Sequence, residues 1–333
     1  MTNRKVPYDQ ILILIVLTLV GFGLIMVFTA SSIVSNQLFD SSTHIFIRQL
    51  AYALMGIGLL IAAMRVDYHF YQNPILVYTF MAVAVIMLAA ALFGPEINGV
   101  NRWIQLGMFR FQPSELSKLA VILLTAFILV KKGGRIETLD RELLYMLFGI
   151  GAVLVLILVE PDFGTTTTIG VIVGLLLFLA GLRFRYYFAC ALVAVPAFYF
   201  LVYQVPYRRE RILSFLDPEA DPMGSGYQIL QSLVAVGSGG VLGKGLSQGT
   251  QKLFFLPEPH SDFIFAVIGE EFGLIGSGLL VILFGVFLWR GIRISLRADT
   301  VFGTYVGLGI VLAIAFQAFF NISVVLSLCP AKG

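Results

Sequence analysis

The stretch Pro206–Gly273, PYRRERILSFLDPEADPMGSGYQILQSLVAVGSGGVLGKGLSQGTQKLFFLPEPHSDFIFAVIGEEFG, decides how the rest of this chain is read. On both sides of it the sequence is almost continuous apolar helix pattern. Inside it that pattern lapses for roughly 55 residues, and charges, glycines and prolines collect. A long polar connection between spans is where a membrane protein can expose irregular backbone to water and carry chemistry. The flanking spans therefore read as the scaffold of this loop.

Composition supports that division. The 333 residues are 59% hydrophobic and only 12% charged, against about a quarter charged for soluble domains. Spans and short loops use the whole length, so the expectation is one membrane domain over residues 1–333, with 206–262 as its large loop. The net charge of +3 comes without a basic stripe, which argues against nucleic acid as a partner. Cys190 and Cys329 sit in apolar runs and read as small buried hydrophobes rather than as a disulfide or metal pair. His44, His69 and His260 are too scattered for a histidine metal site. The first apolar run is too long for a signal-peptide core and lacks a small-residue cleavage site, so it reads as a retained span.

Windows of about 20 apolar residues fall near 11–33, 46–64, 74–93, 114–130, 142–159, 165–181, 186–205, 263–289 and 302–322. The fold class expected is an all-α polytopic membrane protein with nine transmembrane helices in this sequence. Lys and Arg in the short loops set the orientation. With the N-terminus cytoplasmic, Arg4, Lys5, Arg65, Lys131, Lys132, Arg135, Arg141, Arg183, Arg185, Arg290, Arg293 and Arg297 all lie inside. The long loop, the 94–113 segment and the turn EPDFGT are then outside. Arg102, Arg110, Arg208, Arg209, Arg211, Lys244 and Lys252 share that outer face, with Lys118 just inside a helix. Such a cluster fits either solvated loop charge or binding of an anion such as a phosphate or pyrophosphate.

Asp262 is the first candidate for chemistry. It stands where the polar loop enters an apolar helix, as a plain N-cap or as a base whose ionisation the helix dipole and partial desolvation pull in opposite directions. Glu258 and His260 lie close in sequence. Glu115 and Lys118 are three apart at the start of a span, on one helical face, and suit either an ion pair or a substrate contact. Glu160 and Asp162 flank Pro161 and weakly resemble the paired acids that hold a metal in sugar-nucleotide transferases, although capping explains them as well. Glu270 and Glu271, about two turns below Asp262, need a partner or a proton if buried. The run ILQSLVAVGSGGVLG is too short to span and reads as an interfacial or re-entrant helix. With Ser232 inside it and Gln228 just before it, the run is suited to holding a lipid-linked substrate. Tyr227, Phe254 and Phe255 read as interface anchors.

At these residues the sequence resembles a known family. NGVNRWIQLGMFRFQPSELSKLA, EPDFGTT, GSGYQILQSLVAVGSGGVLGKGL, QKLFFLPEPHSDFIFAVIGEEFG and NISVVLSLCPAKG look like the signature segments of the SEDS (shape, elongation, division and sporulation) proteins. The resemblance runs from end to end and leans to the division-type branch. It implies a glycosyltransferase that polymerises lipid II, an undecaprenyl-pyrophosphate-linked disaccharide peptide, on the outer face of the bacterial cytoplasmic membrane at the division septum. Implied partners are a class B penicillin-binding transpeptidase and other divisome membrane proteins. By motif, Asp262 matches the family's essential aspartate, as general base or as ligand of a divalent cation (Mg or Mn), with no organic cofactor. Arg102, Glu115, Lys118 and Arg211 match polar positions of the central cavity. Gln228, Ser232, Lys244 and His260 complete the substrate-binding set expected. The family has ten spans, whereas this sequence ends at Gly333 after LCPAKG, so the resemblance implies a C-terminally truncated member. Two other functions fit the same resemblance. A lipid II flippase would need alternating access and charges lining a path across the bilayer, and a non-catalytic divisome scaffold would need neither.

Overall fold

The computed structural model describes residues 8–330 apart from 97, 98, 108, 204, 205, 225, 254, 255, 257 and 258; at 106, 109, 194, 197, 198, 200–203 and 206–208 it describes backbone only. The apolar windows appear as α1 Gln10–Phe39, α2 His44–Ala63, α3 Pro74–Leu92, α4 Pro113–Lys131, α5 Arg141–Val159, α6 Phe163–Leu179 and α7 Phe184–Tyr203, followed after the loop by α10 Ile264–Ser295 and α11 Val301–Val325. The loop itself carries α8 Pro206–Leu216 and α9 Tyr227–Ser238. Among the described residues, seven of these helices are long and apolar enough to cross a membrane. At 17 residues α6 is shorter, about 25 Å at the usual helical rise. An all-α polytopic membrane fold is the result. A small antiparallel hairpin is added to it, β1 Ile104–Leu106 and β2 Phe109–Phe111, in register Ile104 opposite Phe111.

Short polar residues start the helices. The side chains of Asp9, Asn73, Asp140 and Asp162 each accept from a backbone N–H in the first turn of α1, α3, α5 and α6, satisfying donors that a helix start leaves unpaired. Pro74 and Pro113 occupy the first turn of α3 and α4, where their missing N–H costs nothing.

The chain divides into two compact units. One comprises Met1–Arg65, Arg211–Gly291 and Ala318–Ala331, and the other Val66–Glu210, Ile292–Gln317 and Lys332–Gly333. In the second unit α4 is the central element. It packs on α3, α5 and α6, and every residue from Ala120 to Leu129 is buried. A helix apolar all round belongs inside such a bundle. Helices with fewer neighbours turn large apolar side chains outward instead, as Phe148 and Phe188 do, both 81% exposed, which suits a lipid solvent. Cys190 lies on α7 and is exposed, which corrects the expectation of burial: lipid rather than protein covers that face. In the first unit the core gathers Met26, Ala30, Ala235, Phe263, Ala266 and Ile322, among others.

Ion pairs join the helix ends that the charge distribution assigns to one side. Arg290, near the end of α10, donates to Asp9 at the start of α1. In the other unit Lys132, just after α4, pairs with Asp140 and Glu142 at the start of α5. Arg183 pairs with Glu137, and the Tyr305 hydroxyl donates to the Gly134 carbonyl.

Candidate active site

Asp262 lies in the turn two residues before α10, exposed, and its carboxylate has no hydrogen-bond or ion-pair partner among the described residues. The helix it precedes is not continuous. At Gly273 the backbone turns to φ 63°, ψ −160°, which cuts off the half-helix Ile264–Phe272. In an unbroken helix the N–H groups of Leu274 and Ile275 would bond to the carbonyls of Glu270 and Glu271. Here the segment 240–245 inserts between them. Lys244 N donates to the Glu270 carbonyl and Gly245 N to the Glu271 carbonyl, while Leu274 N and Ile275 N donate to the carbonyls of Gly240 and Val241. Broken helices survive in a bilayer only where such freed groups find new partners. The approach is tight. A Cβ on Gly243, itself at φ +81°, would lie 2.2 Å from the Glu271 carbonyl oxygen, and one on Gly273 would lie 2.4 Å from Gly243 N.

The two carboxylates at the break are the acids that the sequence leaves needing a partner. Both are fully buried. Glu270 accepts from Lys244 Nζ at 2.7 Å, Thr250 N at 2.8 Å, Thr250 Oγ1 at 3.0 Å and Gln251 N at 3.1 Å. Glu271 pairs with the buried Lys252 through Oε1, while its Oε2 has no partner among the described residues. Lys244, expected to face substrate, thus spends its ammonium on Glu270. Ser232 is likewise committed: it is fully buried and donates to the carbonyls of Ile229 and Val325, so its hydroxyl ties α9 to α11. Gln228 on α9, Arg211 on α8 and His260 in the turn before Asp262 are half-buried. Glu258, Phe254 and Phe255 lie outside the described residues.

In the other unit Lys118 is buried near the start of α4. Its Nζ is 2.7 Å from Glu115 Oε2 and donates to Gln317 Oε1 on α11 at 2.8 Å. The pair expected from the i,i+3 spacing is therefore present. Gln317 is the member that sequence reasoning missed. A lone amide in the apolar run IVLAIAFQAFF was the available signal, since a polar group in such a helix seeks a partner.

The turn after α5 separates its two acids by role. Asp162 caps α6, accepting from Thr165 N at 2.9 Å, Thr165 Oγ1 at 2.8 Å and Gln112 Nε2 at 3.2 Å. Glu160 is buried, and neither carboxylate oxygen has a partner among the described residues. Burial first, and then the charge of Asp162, push its pKa up to about 8, against the pull of Arg102. Arg102 lies just before β1, with its Nε buried and unpartnered among the described residues.

No cluster of three or more His, Cys, Asp or Glu suited to a metal occurs among the described residues. Asp262 stands outside any group of further acidic ligands there, so this donor set does not by itself build a cation site.

Comparison with known proteins places the chain. Residues 9–333 match the family described as "Cell cycle protein", whose members are FtsW, RodA and SpoVE. A "Probable peptidoglycan glycosyltransferase FtsW" of Geobacter sulfurreducens is 40% identical over 329 residues, 98% of this chain and 88% of the relative. Stage V sporulation protein E of Bacillus subtilis is 40% identical over 336 residues, 100% of this chain and 91% of the relative. Among solved structures, a chain from a peptidoglycan synthase complex, described as coordinating polymerization and crosslinking, superposes with a TM-score of 0.76 at 27% identity, covering 98% of this chain and 90% of its own. The rod shape determining protein RodA of Thermus thermophilus shares the fold, with a TM-score of 0.65 at 24% identity over 97% of this chain and 86% of its own. From end to end, this chain belongs to the FtsW/RodA/SpoVE family of cell cycle proteins.

Proposed function

We propose that this protein is a septal peptidoglycan glycosyltransferase that polymerises lipid II, with Asp262 as general base. The observation that carries this reading is an exposed carboxylate, without a partner among the described residues, at the head of a broken apolar helix, in a chain whose relatives are named for that activity. Asp262 takes the proton of the acceptor sugar hydroxyl as its oxygen attacks the donor's anomeric carbon. The new C–O bond forms as the bond from that carbon to the pyrophosphate oxygen breaks, with inversion, and the electron pair leaves with undecaprenyl pyrophosphate. Negative charge grows on the leaving group. By the motif match, Arg211 in the first unit and Arg102 and Lys118 in the second are each proposed as substrate-contacting cations, and Lys118 keeps one ammonium N–H beyond its two partners. A divalent cation (Mg or Mn) arriving with the substrate would supply charge neutralisation of the pyrophosphate. The setting proposed is the bacterial cytoplasmic membrane, with the N-terminus inside and the loop outside. The proposed partner is a class B penicillin-binding transpeptidase, in keeping with the synthase complex whose chain this one resembles.

The test is polymerisation of lipid II by the purified protein with its partner transpeptidase. Asp262→Ala is expected to abolish glycan chains while the complex still assembles. Normal polymer from that variant would overturn the assignment. Protein-dependent movement of lipid II across sealed vesicles without polymer would favour a flippase instead.

A further inference from the structure

We infer that Glu270 is a positioning residue for the glycosyl transfer: its buried carboxylate fastens the 240–251 segment to the half-helix Ile264–Phe272 and so fixes where Asp262 stands. The inference rests on the reading of Asp262 as the base. The physical need comes from the break at Gly273. A nine-residue helix severed from the rest of α10 no longer inherits its position from helical continuity, and an isolated helix of that length is marginal. Its last turn must be held by tertiary contacts. Glu270 supplies four of them within 3.1 Å, from Lys244 Nζ, Thr250 N, Thr250 Oγ1 and Gln251 N. Its own backbone carbonyl takes a fifth, from Lys244 N. The segment so held is cut to fit, since a Cβ on Gly249 would lie 2.8 Å from Glu270 Oε2. The charge matters as well as the shape. The carboxylate gathers two backbone N–H groups, a hydroxyl and an ammonium around one anion, and a neutral amide would turn a donor toward at least one of them. Asp262 has no partner of its own among the described residues, so the half-helix is what locates it.

The experiment uses the full chain with its partner transpeptidase and lipid II. Glu270→Gln is expected to lower kcat about tenfold or more while KM changes less than about twofold, the pattern of a displaced catalytic group. Glu270→Asp should recover part of that loss. Lys244→Met should resemble Glu270→Gln, and the double variant should be no worse than either single one. A readout independent of catalysis reports position 262 directly. In a background with Cys190 and Cys329 replaced by Ala, D262C is expected to react with a water-soluble methanethiosulfonate at least about threefold faster or slower when Glu270→Gln is added, because reactivity follows access and local charge. Each comparison is made on the monodisperse, folded fraction. An unchanged D262C rate, or unchanged specific activity of folded Glu270→Gln, overturns the inference. Normal polymer from Asp262→Ala would overturn the base assignment while leaving the D262C result to be judged by itself.

Discussion

The protein holds buried lysine–carboxylate pairs of two kinds. Lys118 pairs with Glu115 one helical turn away, on the intact helix α4, and the acid is 48% exposed. Lys244 and Lys252 pair with Glu270 and Glu271 across 26 and 19 residues, at the point where α10 is broken, and both acids are fully buried. The first pair is local and half-wet, so the fold does not hang on it and its cation is available for chemistry. The second kind is non-local and its acids are dry; Lys252 is buried with them, whereas Lys244 keeps 32% of its side chain exposed. There the charges compensate a rupture in the scaffold, and removing a lysine strands a carboxylate without water.

That contrast can be broken in order of expected effect. Lys252→Met should destabilise most, by about 3–5 kcal/mol in denaturant or thermal unfolding in detergent, because Glu271 is left buried and charged. Gly273→Ala follows, at ~2 kcal/mol, from positive φ and a Cβ driven against Gly243 N. Replacing the whole pair, Lys252→Met with Glu271→Leu, should return stability to within about 1 kcal/mol of the parent, since an apolar pair carries no desolvation penalty. A double variant as unstable as Lys252→Met would show that the salt bridge itself, rather than the stranded charge, is what matters. Lys118→Met should cost stability only about 1 kcal/mol and yet abolish polymer. Loss of fold without a specific loss of activity would erase the distinction between the two kinds of pair.

Glu160 sharpens the comparison as a buried acid with no lysine partner among the described residues. Its pKa is raised to about 8 from 4.5, so between those values the folded protein holds a proton that the unfolded chain has released. Stability must then fall as pH rises through that window. The melting temperature is expected to decline from pH 6 to pH 9, and Glu160→Gln should flatten the decline. An identical slope in the variant would assign it to other groups.

How far these features could be read from the sequence depends on their range. The nine apolar windows, the short helix α9, the capping role in the Glu160–Asp162 turn, and the pairing of Glu115 with Lys118 are all legible. Each is written in residues at most a few turns apart. The hairpin at 104–111, helix α8 and the partner Gln317 are not legible there, and the tether at Ser232 reads as a ligand contact. In each case the deciding contact lies in a distant element or in a short segment with weak periodicity.

Hydropathy and capping are local properties, and they suffice to write down a membrane-spanning helical chain with one long polar interruption and Asp262 at the mouth of a helix. Long-range packing had to be seen before it was known that this helix breaks at Gly273, that 240–245 threads the gap, and that Glu270 and Glu271 meet Lys244 and Lys252. Backbone groups and charges cut off from water must find partners wherever the fold brings them, and sequence spacing carries no record of that choice.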